Sequence, residues 1–380
     1  MAFKTQDVEE QVFDSLEDLR KHLSAEKDRF SMVPIRNFVE KGAVFLYDEH
    51  YGSDENYVCF NEDGFRSFCS TFKLPAAFLY DLPNPGLASM NLNDYFSRDD
   101  SKVRLCRYSF VLDSVTMAVA GVVTNSYLGF SNATFVDEVE EALPGGFGNY
   151  EFETSYLINT RLHLRLLSQK IKAGAVSGSG GVGTDVSRIG IECRNSLVGD
   201  SAIRVLYFVH RLICANGLTV PSKNSGRGSV HHRGKPETFS MRIEKNILSV
   251  IRSLGRTAKF IEKLMEVPYS TEKLVAAGGA KEVYKVFALY QSERAERQKL
   301  TGKRIRQFDL DKISQYPERF GGELTDQVFN SPYRDNQSMF DFVNIFTEFA
   351  KTQPPRKRLE TEEKAGNLAS WIMKNKRKFL

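Results

Sequence analysis

The stretch Arg161-Leu-His-Leu-Arg-Leu-Leu167 alternates between cationic and apolar side chains. An extended strand turns such a pattern into two faces, because successive side chains point to opposite sides of a pleated backbone. A helix would scatter Leu162, Leu164 and Leu166 around its girth. The segment therefore predicts a strand with a buried apolar face and a face of Arg161, His163 and Arg165. Arg188–Ser196 repeats the pattern, with Ile189, Ile191 and Cys193 on one side and Arg188, Glu192 and Arg194 on the other. Between the two lies Gly174–Gly183, with five glycines, which reads as a loop joining strands. Ile203–Ile213, carrying Arg204, His210 and Arg211, reads as a further strand or as the start of a buried helix.

Around this centre the periodicity changes. Residues 5–23 carry Val8, Val12, Leu16, Leu19 and Leu23 at helical spacing. Phe65, Phe68, Cys69 and Phe72 fit a helix ending before Pro75. Val103–Leu112 and Val115–Val123 read as a hairpin. Ser131–Leu143 reads as a short helix with Asn132 as N-cap and Pro144-Gly145-Gly146 as its stop. From Glu237 onward the apolar stripes are helical, first Ile243, Ile247, Val250, Ile251, Leu254 and Phe260, then Met339, Phe342, Val343, Phe346 and Phe349. Pro354-Pro355 breaks the chain before a last, basic helix. The expectation is an α+β fold: an antiparallel sheet over residues 103–213 backed by helices, and a mainly helical C-terminal part. Four segments follow: an acidic mixed α/β part (1–100), a basic β-rich core (101–236), a helical part (237–353) and a basic tail helix (354–380).

Charge is unevenly spread. The net charge is only +4, yet residues 161–260 hold 17 Lys and Arg against 5 Asp and Glu, while residues 1–100 hold 10 against 19. Segregation of this kind marks a surface for an anionic partner. Arg161, Arg165, Arg188, Arg194 and Arg204 are expected on one continuous cationic strand face, joined by Arg211. Asn216-Gly217 reads as a tight turn. Beyond it Lys223, Arg227, His231, His232, Arg233 and Lys235 stand among glycines and serines with no acid before Glu237. A loop of small residues and cations suits close approach to phosphates. Tyr156, Tyr207 and Phe208 lie near these cations in sequence, as stacking on unpaired bases requires.

Other chemistries find less support. The five cysteines, Cys59, Cys69, Cys106, Cys193 and Cys214, are odd in number and lack CxxC spacing. This argues against a disulfide framework or zinc site and for reducing cytoplasm. No apolar run reaches the roughly 18 residues of a membrane span, and the acidic amphipathic start lacks the features of a secretory signal. Gly178, Gly180 and Gly183 match GxGxxG, but β-like sequence follows where a dinucleotide site needs a helix. No GK[ST] loop occurs. No cofactor and no metal are expected. An enzyme acting on nucleic acid or nucleotide stays open as an alternative, with Asn195, Ser196, Cys214, Asn216 and His231 as its polar cluster and His210 and His232 nearby.

The run RNSLVGDSAIRV, followed by RLICANGL and HHRG, resembles a phage- and plasmid-like family, the domain-of-unknown-function family nine-three-two, over about residues 100–260. Gly121-Val-Val-Thr-Asn-Ser-Tyr127 is similar to that family's strand and turn. The resemblance implies a role in mobile-element DNA biology, in the cytoplasm of a host cell. By fold-level analogy the basic sheet also looks like that of single-strand annealing proteins, which implies single-stranded DNA binding in recombination or replication and a homo-oligomer. A protein that meets an acidic partner instead of DNA, as in anti-defence interactions, is the remaining alternative.

Overall fold

The computed structural model describes residues 9–26, 28–40, 44–45, 57–80, 82, 85–98, 103–174, 186–199, 201–211, 216–220, 229–287, 289 and 338–379. Its centre is a seven-stranded antiparallel sheet. Strands β1 (Glu10–Phe13), β7 (Tyr150–Ile158), β8 (Arg161–Gly174), β9 (Val186–Ser196), β10 (Ile203–Arg211) and β11 (Asn216–Val220) follow one another in that order. β12 (Ser229–Val230) pairs with the start of β10, which β11 leaves uncovered. Three-stranded and two-stranded sheets stand apart: β2 (Phe30–Pro34), β5 (Tyr108–Asp113) and β6 (Ala118–Thr124), and the parallel pair β3 (Val44–Phe45) and β4 (Tyr57–Val58).

The fold is α+β, as the periodicities predict, but the strands of residues 103–213 divide between two sheets. The alternation in β8 and β9 holds: Leu162, Leu164, Leu166, Ile189, Ile191 and Cys193 are all buried in the main core. Against them pack α1 (Leu16–Ala25), α6 (Asn132–Ala142), α7 (Pro236–Ile251) and α8 (Leu254–Met265). The smaller sheet carries its own core, a cluster of phenylalanines in which Phe68 of α3 (Glu62–Phe72) meets Phe60, Phe72, Phe96 and Phe110. Between α3 and the latter stretch of this lobe lie α4 (Ala76–Tyr80) and α5 (Pro85–Ser97); α2 (Arg36–Glu40) follows β2.

Four local expectations are corrected. The helix read over residues 5–23 is a strand followed by a helix, because Ser15 caps α1 by accepting from the Asp18 amide and Glu10–Phe13 pairs with β7. Tertiary pairing overrides the helical spacing of Val12, which is left half-exposed. Residues 103–105 are helical, so the hairpin's first strand starts only at Tyr108. The N-cap of α6 is Ser131, whose Oγ accepts from the Thr134 amide; Asn132 is the first helical residue. Asn216-Gly217 is not a turn but opens β11 opposite His210 and Arg211. A glycine is required there because a Cβ at 217 would stand 2.7 Å from the Phe208 ring.

The motifs of the central region hold the two sheets together. A Cβ at Gly121 would lie 2.5 Å from Val198, and Gly199, at φ +69°, rests against the Tyr127 ring. The Tyr127 hydroxyl donates to the carbonyl oxygens of Ser196 and Leu197, at 3.0 and 3.3 Å.

The C-terminal helices do not form a separate tail. After α9 (Thr271–Ala276) and α10 (Ala280–Phe287), α11 (Met339–Ala350) and α12 (Pro355–Lys374) enter the main core through Phe342, Phe346, Leu368 and Ile372. α12 runs across the sheet's second face. Leu359 packs with Tyr156 and Ile158 of β7, Glu362 meets Arg165 of β8, and Gly366 rests on β11, where a Cβ would fall 1.9 Å from the Thr219 carbonyl oxygen.

Candidate functional site

Neighbouring strands lie about 4.8 Å apart, so residues in register form rows across a sheet. His163, Arg194 and Arg204 form such a row on β8, β9 and β10, and Arg161 stands two residues along β8 on the same face. β12 extends the row through the Arg204–Ser229 pairing. The exposed His231, Arg233 and Lys235 follow directly on β12. The first turn of α12 bounds the row from the other side. Arg161, His163, Arg194 and Arg204 with Arg356, Leu359, Glu360 and Glu363 line an open cleft of about 360 Å³. Arg204 is exposed, and Arg161 and Arg356 are half-buried. Arg356 Nε stands 3.5 Å from Glu360, a pair weakened by water.

Behind the cleft, the polar face of the sheet closes into a buried charge network. Glu192 has no accessible surface and receives four side chains. Arg194 Nε donates to it at 2.6 Å, Thr219 Oγ1 at 2.7 Å and Arg165 Nε at 3.3 Å, while His163 Nδ1 lies at 2.9 Å. From α12, Glu362 binds Arg165 and accepts from Arg358 Nε at 3.0 Å, and Glu363 accepts from Arg194 Nη1 at 2.5 Å. The Arg165 guanidinium also lies 4.5 Å from the Phe208 ring centre and 5.0 Å from that of Tyr156. Burial alone would raise the Glu192 carboxyl, but Arg194, Arg165 and His163 together hold it well below the usual carboxylate range. His163 moves down, chiefly because burial disfavours its charged form.

The expected cationic face is thus one face by register but not one surface. Arg165 is fully buried beneath α12, so it cannot meet an external ligand in this conformation. Arg188 sits towards the opposite end of β9 and pairs with Glu151 at 2.6 Å. Arg211 is drawn to Asp341 at 3.0 Å and covers the Phe340 ring. Arg161, Arg194 and Arg204 are brought together in the cleft. Tyr156 and Phe208 are buried and offer bases no stacking platform, and the Tyr207 hydroxyl is hydrogen-bonded to Ser253. His232 is buried and stacked on Tyr127, with Nδ1 3.3 Å from the Leu128 carbonyl oxygen, so it is a packing residue and not part of the basic surface. Lys223, Arg227 and the GxGxxG glycines Gly178, Gly180 and Gly183 lie outside the described residues, as does Cys214.

The polar cluster of the enzymatic alternative is not assembled by the residues described. Asn195 is buried and bridges to α6, its Nδ2 donating to the Phe130 carbonyl oxygen at 3.2 Å and to Asn132 Oδ1 at 2.9 Å. Ser196 is buried beside Tyr127. His231 points to solvent, and His210 lies 3.4 Å from Glu153. Among the described residues, no three His, Cys, Asp or Glu side chains come together as a metal-binding set. No helix there is long and apolar enough to cross a membrane.

Arg356, Glu360, Glu362 and Glu363 escape sequence reasoning based on the basic tail. Their signal is the i, i+4 pairing of Arg356 with Glu360 and Arg358 with Glu362, together with Gly366 in mid-helix. A polar residue pair and a glycine on one helix face mark a face that is covered.

Neither the comparison with curated proteins nor that with solved structures returned a match. A family model described as a domain of unknown function (DUF932) matches residues 119–371. That span runs from β6 to the end of α12 and so contains the main sheet apart from β1, the interlocking turn at Leu197–Gly199, the buried charge network and every arginine of the cleft; the chain belongs to the DUF932 family.

Proposed function

We propose that this chain is a nucleic-acid-binding protein whose interface is the strand-end cleft, extended by His231, Arg233 and Lys235. One observation carries the reading: arginines from separate elements, Arg161, Arg204 and Arg356, line a single open cleft. Guanidinium groups converging on one opening suit phosphate oxygens, which they bind through paired N–H donors. The cleft admits one strand and not a duplex, which favours single-stranded DNA. Work on DNA in recombination or replication of a phage or other mobile element, in the reducing cytoplasm of its host, accords with this reading, and the free thiols of Cys69, Cys106 and Cys193 suit that compartment. The test is a mobility shift with single- and double-stranded oligonucleotides across a salt series. Wild-type protein is expected to retard single strands in a salt-sensitive manner, and the Arg161→Ala, Arg204→Ala, Arg356→Ala triple variant to lose most of that retardation. Equal retardation by wild type and triple variant would remove the cleft from the interface.

A further inference from the structure

The cleft is not uniformly basic, and this sets what it can hold. Its arginines face Glu360 and Glu363 of α12 across the opening. A run of backbone phosphates threading it would set anions beside both carboxylates. In addition, about 360 Å³ is near the lower end of the roughly 300–1,000 Å³ typical of small-ligand pockets. Such a space takes one phosphate with its sugar and base, not several in series. The wall pattern matches that unit. Arg204 and Arg161 at the strand ends and Arg356 on the helix offer charged donors for the phosphate. Glu360 and Glu363 offer acceptors for hydroxyl or amino groups. Ile158 and Leu359 supply an apolar patch. Arg194 adds a second signal: its Nε and Nη1 are engaged by Glu192 and Glu363, while its Nη2 is buried with no hydrogen-bond partner. A buried guanidinium N–H left unpaired is a poised donor, because such groups are nearly always satisfied.

We propose that the cleft between the strand ends of β8–β10 and the first turn of α12 is a subsite for a single nucleotide unit, its phosphate on Arg161, Arg204 and Arg356 and its sugar or base on Glu360. The inference rests on the nucleic-acid reading and narrows it: a strand enters by an end or by one extruded nucleotide.

The test is calorimetric titration of the full chain with each of the four deoxynucleoside 5′-monophosphates, with thymidine, with inorganic phosphate and with a thymidine oligonucleotide. Saturable binding of at least one monophosphate is expected, with thymidine and phosphate clearly weaker. Arg204→Ala and Arg356→Ala should each weaken the monophosphate about tenfold, the loss of one charge-assisted hydrogen bond. Glu360→Gln should weaken the monophosphate but not phosphate. Oligonucleotide binding without any monophosphate binding at millimolar concentration would overturn the subsite and leave the nucleic-acid reading intact. Phosphate binding as tight as the best monophosphate would reduce the cleft to a simple anion site and overturn the proposal. Absence of binding by both monophosphates and oligonucleotide would end both readings.

Discussion

Glu192 is the residue on which the polar face of the sheet turns. Its carboxylate answers Arg165, Arg194 and His163 at once, with no access to water. Removing one partner from such a cluster strands the others without solvent or countercharge, a loss of about 3–5 kcal/mol. Glu192→Ala is therefore expected to destabilise the chain by that order in urea unfolding, whereas Glu360→Ala on the exposed turn of α12 should change stability by about 0.5 kcal/mol or less. The pH dependence follows from the two shifts. The folded state holds Glu192 below its unfolded value, so its contribution is present above about pH 4.5 and lost as pH falls towards the folded value. The folded state also holds His163 below its ordinary 6.5, so between the two values the unfolded chain binds the extra proton. Stability should accordingly fall as pH drops below about 6.5, and fall further in the carboxylate range. Unfolding midpoints at pH 7.5 and 5.5 for wild type and His163→Gln check this. A smaller drop in the variant is the expected result.

At the scale of elements, α12 is the piece whose packing changes the reading of the sheet. It lies so close to β11 that only a residue without a side chain fits at Gly366. In an isolated helix Gly→Ala gains about 1 kcal/mol. Here the added methyl meets a backbone carbonyl, and overpacking of this kind costs about 1–3 kcal/mol. Gly366→Ala should therefore lower the unfolding midpoint, while Gly255→Ala in α8, where a Cβ meets nothing within 4 Å, should leave it unchanged or raise it. Helix periodicity located α12 in the sequence, but its acidic residues read there as solvent-facing. The strand pattern in β8 and β9 was legible to the residue, because period-2 alternation is a local property. What a helix of distant sequence would lay over the cationic side was not.

For the whole molecule, the first strand and the last helix both belong to the central unit. β1 forms one edge of the main sheet and α12 covers its polar face. A chain ending at residue 353 would uncover Tyr156, Phe208 and Arg165 together, and is expected to lose cooperative thermal unfolding and to aggregate. Electrostatics of binding also belong to this scale. Each arginine–phosphate pairing removed should reduce the slope of log affinity against log salt by about 0.7 for single strands. Replacing Arg161, Arg204 and Arg356 by alanine should flatten the slope by roughly 2, with affinity falling alike for all sequences. An unchanged slope would mean that the ion release occurs elsewhere on the chain.

The sequence by itself determined the α+β class, the strands at Arg161–Leu167 and Arg188–Ser196, the helices after Glu237 and the concentration of positive charge between residues 161 and 260. These follow from side-chain period and local composition, which need no knowledge of distant residues. The tertiary structure alone decided which of those charges face a ligand. Arg165 and Arg204 are equivalent in pattern, yet one is sealed beneath Glu362 and the other stands open at the cleft. The difference is made by a helix some 150 to 200 residues further along the chain, placed by the fit of Leu359 and Gly366 to the sheet. Alternation fixes the side of a strand on which a residue stands, but packing between remote segments determines whether that side meets water.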